Sequence, residues 1–191
     1  MGRLAIVLLT AVALSLSAVL PSWAAEGAPR TVLHYGDSLT IGTGIYLPAF
    51  LPGWSITQSA ATSRHAGDGP QAVRSLSSSL PRVLVISLGT NDDPSAVGAF
   101  AADVRRVALV ARGRRCVIWS TVARPPYNGV SYDGYNRVLR NAAVTFANFR
   151  VFDWQAVART HPWWFGSDGV HPTAEGYRAR ASALAKLVRS C

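Results

Sequence analysis

Thr31-Val32-Leu33-His34-Tyr35-Gly36-Asp37-Ser38-Leu39-Thr40 reads as a strand, a tight turn and the start of a helix. The apolar run Thr31-Val32-Leu33 makes the strand, and Gly36-Asp37-Ser38 is turn chemistry. Outward from this unit, apolar runs alternate with helical patterns. The spacing predicts strands over residues 30–35, 54–58, 82–88, 115–122 and 150–153. Helical patterns cover 70–80, 94–111, 132–147, 154–159 and 173–189. Residues 41–51 are ambiguous, because Gly42, Gly44 and Pro48 weaken a helix there. The third strand, Val83-Leu84-Val85-Ile86-Ser87-Leu88, is almost continuously apolar, as expected of a parallel strand buried on both faces. Pro94 suits a first helical turn and Gly113 stands just past that helix's end. Five strands alternating with helices predict an α/β fold, a doubly wound parallel sheet with right-handed crossovers.

The chain has 191 residues, enough for one domain with appendages. With 49% hydrophobic and 15% charged residues it can build a core and is not a disordered chain. The net charge of +9 is carried almost wholly by arginine, Lys186 being the only lysine. The arginines are scattered, and the densest group, Arg112, Arg114 and Arg115, is short. That pattern reads as a solvated basic face and not as a nucleic-acid surface. It leaves open an attraction to an anionic envelope surface.

Arg3, the apolar run 4–20 and the small residues Ser22 and Ala24 read as a secretory signal peptide over residues 1–24. Export would place the chain in a secreted or periplasmic, cell-envelope setting. An uncleaved anchor is the alternative, since 17 apolar residues approach the minimum for a span. Residues 25–29 form a linker, and 30–191 the domain. Cleavage removes only Arg3 among the charges, leaving +8 (18 Arg and Lys minus 10 Asp and Glu). Two cysteines in an oxidising compartment suggest a disulfide. Cys116 opens the fourth strand and Cys191 ends the last helix, which runs back toward the strand starts, so the thiols can meet.

Ligands of open α/β sheets bind outside the carboxyl ends of the strands. The polar clusters fall there: Ser38 after strand one, Ser63 after strand two, Asn91 after strand three, Asp168 and His171 in the last loop. An acid three residues before a histidine can bond the ring Nδ1–H and leave Nε2 to face a serine. Ser38, His171 and Asp168 thus form a candidate nucleophile, base and orienting acid. Ester cleavage also needs oxyanion donors, and the Ser38 N–H, the Asn91 amide and an N–H of the second loop can supply three.

Gly36-Asp37-Ser38-Leu39, Gly89-Thr90-Asn91-Asp92 and Asp168-Gly169-Val170-His171 together resemble the SGNH, or GDSL, hydrolase superfamily over about residues 30–190. The resemblance implies a single flavodoxin-like three-layer domain and an esterase, lipase or acyltransferase with Ser38 as nucleophile, His171 as base and Asp168 as its partner. It implies Asn91 as an oxyanion donor. One block departs: Ser63 stands where the family has a glycine whose N–H joins the oxyanion hole, with Gly67 the fallback. The expected reaction is hydrolysis of a small-molecule, lipid or glycan ester through an acyl-Ser38 intermediate, without a cofactor. Acyl or acetyl transfer between envelope sugars or lipids shares its first step, and a non-catalytic binding module is the remote alternative.

Plainer readings apply elsewhere. Asp37 reads as a turn-stabilising acid, His34 as structural, and His65 and His161 as surface residues. The four histidines lack metal-ligand spacing. Asp92 and Asp93 read as caps for a helix opening at Pro94, and Arg64 and Arg124 as solvated unless they meet an anionic substrate. Trp163, Trp164 and Phe165 either pack the last loop or wall an apolar pocket.

Overall fold

A computed structural model describes residues 29–111 and 115–191. The expected signal peptide, the linker before Pro29, and Arg112, Gly113 and Arg114 lie outside the described residues. In chain order the elements are β1 (Thr31–Gly36), α1 (Ser38–Gly44), α2 (Leu47–Phe50), β2 (Ser55–Ala60), α3 (Asp68–Ser75), β3 (Val83–Ser87) and α4 (Val97–Ala111). There follow β4 (Cys116–Ser120), α5 (Asp133–Thr145), β5 (Phe149–Phe152), α6 (Trp154–Arg159), a 3-10 turn (Pro162–Trp164) and α7 (Ala174–Arg189). The five strands form one parallel sheet in the order β2-β1-β3-β4-β5. This is the flavodoxin-like order. The chain leaves β1 for β2 on one side and returns to β3 on the other, so a crevice opens between the carboxyl ends of β1 and β3.

Strand alternation divides the core into two layers. Leu33, Tyr35, Leu84, Ile86, Val117, Trp119 and Phe149 pack with Phe100, Val104 and Val107 of α4 and Tyr135 and Leu139 of α5. Val32, Val83, Val85, Ile118 and Phe152 pack with Leu47 of α2, Trp154 of α6 and Ala181, Leu184 and Val188 of α7. All five residues of β3 are buried, which explains its unbroken apolar run. Edge strand β2 carries the polar Ser55, Thr57, Gln58 and Ser59.

Element boundaries moved where side chains compete with the helix. Helix α4 begins at Val97, three residues past Pro94, because Asp93 closes a turn first. The Asp93 carboxylate accepts from the Ser95 N–H (2.9 Å) and hydroxyl (2.8 Å), and the Ala96 N–H donates to the Asp93 carbonyl. Such local bonding draws the backbone away from helix. Helix α3 stops at Ser75, before Ser77, Ser78 and Ser79. The ambiguous stretch holds two short helices, with Pro48 in the first turn of α2, where a missing N–H is tolerated.

Cys116 and Cys191 are bridged, their Cα atoms 5.9 Å apart. The Arg82 guanidinium donates to the Cys191 carbonyl at 2.9 Å, fastening the last residue to the amino edge of the sheet. Closing a loop with a sequence separation of 75 is worth about 4 kcal/mol by chain entropy.

His34 is fully buried on β1, on the face it shares with Val32. Neither ring nitrogen has a hydrogen-bond partner among the described residues. Burial first, then the Arg180 charge, lower its pKa from 6.5 to about 3, against a weaker opposing pull from Gln58, its register neighbour on β2. The unfolded chain therefore takes up a proton below about pH 6.5 that the folded chain refuses until about pH 3. Stability from this group is present above the unfolded value and falls as pH drops through that window. Between about pH 7 and about pH 4 the loss approaches about 3 kcal/mol. Urea midpoints at those two pH values should draw closer together in His34→Leu than in wild type. Equal acid sensitivity in the two proteins refutes this account.

Candidate active site

Gly36 ends β1 against β3: a Cβ there would lie 2.3 Å from the Ser87 carbonyl oxygen and 2.2 Å from Thr40 Oγ1. Only glycine permits that approach. The Asp37 N–H then donates to the same carbonyl at 3.2 Å, turning the chain out of the sheet. Asp37 is the N-cap of α1, its Oδ1 accepting from the Leu39 N–H at 2.9 Å. Ser38 is therefore the first residue of the helix, with an N–H that has no intrahelical acceptor.

Ser38 Oγ lies 2.9 Å from His171 Nε2. His171 Nδ1 lies 2.6 Å from Asp168 Oδ2. The other oxygen of Asp168 accepts from the Val170 N–H (2.9 Å) and the His171 N–H (3.0 Å), so the acid builds the turn that presents its own partner. The His171 ring, followed by these two N–H groups, holds the Asp168 carboxyl well below the usual carboxylate range. The pair is open to solvent: the His171 and Asp168 side chains are 48% and 50% exposed.

The loop is clamped at both ends. The Gly166 N–H donates to the His171 carbonyl (2.8 Å), and the Thr173 N–H to the Trp164 carbonyl (2.7 Å). Trp164 stacks between Trp154 and His161, and Phe165 packs on Trp154. Trp164 and Phe165 thus pin the loop to the core, while Trp163 is 62% exposed. Thr173 then caps α7.

The loops after β2 and β3 are stitched together. The Asn91 amide donates to the Arg64 carbonyl at 3.2 Å, with a longer contact of 3.5 Å to Asp37 Oδ2. Both oxygens of Asp92 lie within 3.2 Å of the Ala66 N–H, and Asp92 Oδ1 is 3.3 Å from His65 Nδ1. Asp92 is therefore a bridge between loops and not a helix cap, and His65 is its partner. Ser63, exposed in the β2–α3 loop, has φ +57°, the left-handed conformation that glycine adopts without strain. Gly67 caps α3 with an ordinary φ of −59° and faces Asp103 of α4.

Neither Arg64 nor Arg124 is merely solvated. Arg64 donates to the Ser59 (2.7 Å) and Gly36 (3.2 Å) carbonyls and lies over the Tyr35 ring. Arg124 donates to the Thr90 carbonyl and stacks with Tyr127 and Tyr132. Both bind backbone oxygens at the strand ends.

Beneath the site lies a buried polar layer. Arg180 of α7, 1% exposed, donates to Thr43 Oγ1 (3.1 Å) and Ser87 Oγ (2.9 Å) and lies over the Phe152 and Trp154 rings. Burial brings its pKa down to about 10 against the opposing charge of Asp37. Burial pushes the Asp37 carboxyl up, opposed by the Leu39 N–H and the Arg180 charge. Arg180 escaped the sequence reading, although it shares a helical phase with Leu184 and Val188 and so had to face the core.

Among the described residues, no three His, Cys, Asp or Glu side chains are grouped to hold a metal ion, and no helix is long and apolar enough to cross a membrane. A cleft of about 450 Å³, lined by Arg124, Tyr132, Gln155, Arg159 and Phe165, shares Gly169 with the Asp168–His171 turn.

Residues 34–179 match the sequence model of the GDSL-like Lipase/Acylhydrolase family. That span contains Ser38, Asn91, Asp168 and His171. No curated protein sequence matches the chain. Among solved structures, the C-terminal catalytic domain of peptidoglycan O-acetyltransferase A from Streptococcus pneumoniae, with a methylsulfonyl adduct, superposes with a TM-score of 0.68 at 23% identity, covering 85% of this chain and 92% of that one. A lipolytic protein of the G-D-S-L family from Veillonella parvula gives 0.70 at 15% identity, covering 84% and 99%. The psychrotrophic esterase EstA of Pseudoalteromonas sp. gives 0.66 at 14% identity, covering 84% and 97%. At these identities the likeness is one of fold.

The backbone at Ser63 yields a stability test. A left-handed non-glycine residue costs about 1–2 kcal/mol, and the added unfolded-state entropy of glycine returns about 0.5–1 kcal/mol of that. Ser63→Gly should raise stability by up to about 1 kcal/mol, and Ser63→Val should lower it. Urea denaturation measures both. A destabilised Ser63→Gly protein means that the serine side chain, not the backbone, holds the turn.

Proposed function

The chain belongs to the GDSL-like lipase/acylhydrolase family, and on that premise we propose that it is an exported serine esterase acting through Ser38, His171 and Asp168. The observation that carries the reading is the continuous relay of 2.9 Å and 2.6 Å from Ser38 Oγ through the imidazole to Asp168. Ser38 Oγ attacks the ester carbonyl as its proton passes to His171 Nε2. The carbonyl π pair moves to oxygen. Asp168 fixes the tautomer and faces the imidazolium that forms. Collapse of the tetrahedral intermediate expels the alkoxide, which takes the proton from His171 and leaves as alcohol. Water, deprotonated by His171, then attacks acyl-Ser38. The second collapse breaks the acyl–Oγ bond, returns the proton to Oγ and frees the acid.

The oxyanion is held by the Ser38 N–H at the head of α1, the Ser63 N–H and the Asn91 amide. Asn91 suits this role. Its firm bond to Arg64 anchors the amide, while the 3.5 Å contact to Asp37 leaves the second N–H weakly committed. Export is the reading of the expected signal peptide at residues 1–24, and the +8 charge left after its cleavage favours an anionic envelope. Transfer of the acyl group to an alcohol is the second reading, favoured by the exposure of His171 and Asp168, which lets an alcohol reach the intermediate.

A fluorophosphonate that labels wild type and not Ser38→Ala, with loss of p-nitrophenyl acetate hydrolysis in that variant, is the expected result. Asn91→Ala should lower kcat by about 10²–10³. A folded wild type that is neither labelled nor active refutes the reading. Ester products formed with an added alcohol acceptor would assign transfer.

A further inference from the structure

We infer that the solvent-facing side of α1 is the rail along which the acyl chain of the substrate lies. The inference rests on the esterase reading and names the acyl class: a medium-length chain in preference to acetyl.

Helix α1 buries Leu39, Thr40 and Thr43. At 100° per residue, Ser38 and Ile41 of α1 and its C-cap Ile45, whose backbone (φ −60°, ψ −36°) keeps the helical conformation, fall together on the opposite side, at positions i, i+3 and i+7. Ile41 is 39% and Ile45 72% exposed. A single exposed isoleucine needs no explanation. Two in line with the nucleophile do, because in an acyl-enzyme the acyl carbon is bonded to Ser38 Oγ and the chain starts at the head of this line.

The strip is bordered on both sides. Gly42 has no side chain, and the Tyr177 ring of α7 lies where its Cβ would stand, 2.3 Å from that position. Gly44 is covered in the same way by the Gln58 side chain of β2, 1.8 Å from the position of its Cβ. Both glycines let neighbouring elements close on the flanks of α1, leaving the isoleucines uncovered between them. From Ser38 to Ile45 the helix rises about 10 Å, the reach of an acyl chain of about eight carbons. An acetyl group, two carbons long, covers only the start of that distance.

The test is the ratio of kcat/KM for p-nitrophenyl octanoate to that for p-nitrophenyl acetate. The Ile41→Ser/Ile45→Ser protein should show that ratio reduced by about ten-fold, from lost apolar contact. Val144→Ser is the control for general surface stickiness. Val144 is 90% exposed and lies on α5, across the sheet from α1. Its ratio should match wild type. An unchanged ratio in the isoleucine variant, or an equal fall in Val144→Ser, overturns the rail. Hydrolysis of neither ester by a wild-type protein that escapes fluorophosphonate labelling overturns the esterase reading and the rail with it. Hydrolysis with an unaltered ratio removes the rail alone. If the double variant does not fold, Ile45→Ser alone carries the comparison.

Discussion

The close approach of β1 to β3 at Gly36 and Ser87 sets where the rest of the site must go. One carbonyl, that of Ser87, both excludes a side chain at Gly36 and accepts the Asp37 N–H. The chain turns there, Asp37 caps the helix it starts, and Ser38 is delivered to the mouth of the crevice. The next loops lock onto the same point: Arg64 binds the Gly36 carbonyl, and Asn91 reaches from Asp37 to the Arg64 carbonyl. His171 arrives from the far end of the chain, held by its own Asp168 turn and by the aromatic anchors Trp164 and Phe165.

This geometry rests on groups that are costly to bury. Asp37, His34 and Arg180 are each about fully enclosed. Arg180 bonds the hydroxyls of Thr43 and Ser87, while the Asp37 charge acts on it at longer range. An apolar layer of equal volume would serve stability as well or better. What the polar layer adds is placement: one guanidinium ties α7 to α1 and β3, so the helix that follows His171 and the helix that begins with Ser38 share an anchor.

The α/β architecture was legible because burial imposes its own period. β3 is covered on both sides and reads as unbroken Val, Leu and Ile, and the acid and base of the last loop stand three residues apart because the turn between them is local. Long-range polar ties were not legible. Nothing in Asp92 distinguishes a cap for α4 from a clasp on Ala66, since that choice depends on how the β2–α3 loop folds back. Arg64 and Arg124 read as surface because arginine usually is, yet loop carbonyls at the strand ends claimed both. Three serines ended α3 early, and Asp93 outcompeted Pro94 for the start of α4.

The bridge between Cys116 and Cys191 closes a covalent ring that holds Asp168 and His171 but not Ser38. An exposed turn in that ring, Tyr127 to Val130, lies between β4 and α5. A protease that cuts this turn would produce a nicked chain whose halves stay joined through sulfur. His171 and Asp168 would remain tethered to the sheet that carries Ser38. Damage that would release a fragment from an unbridged chain leaves here a single molecule with both halves of its relay attached.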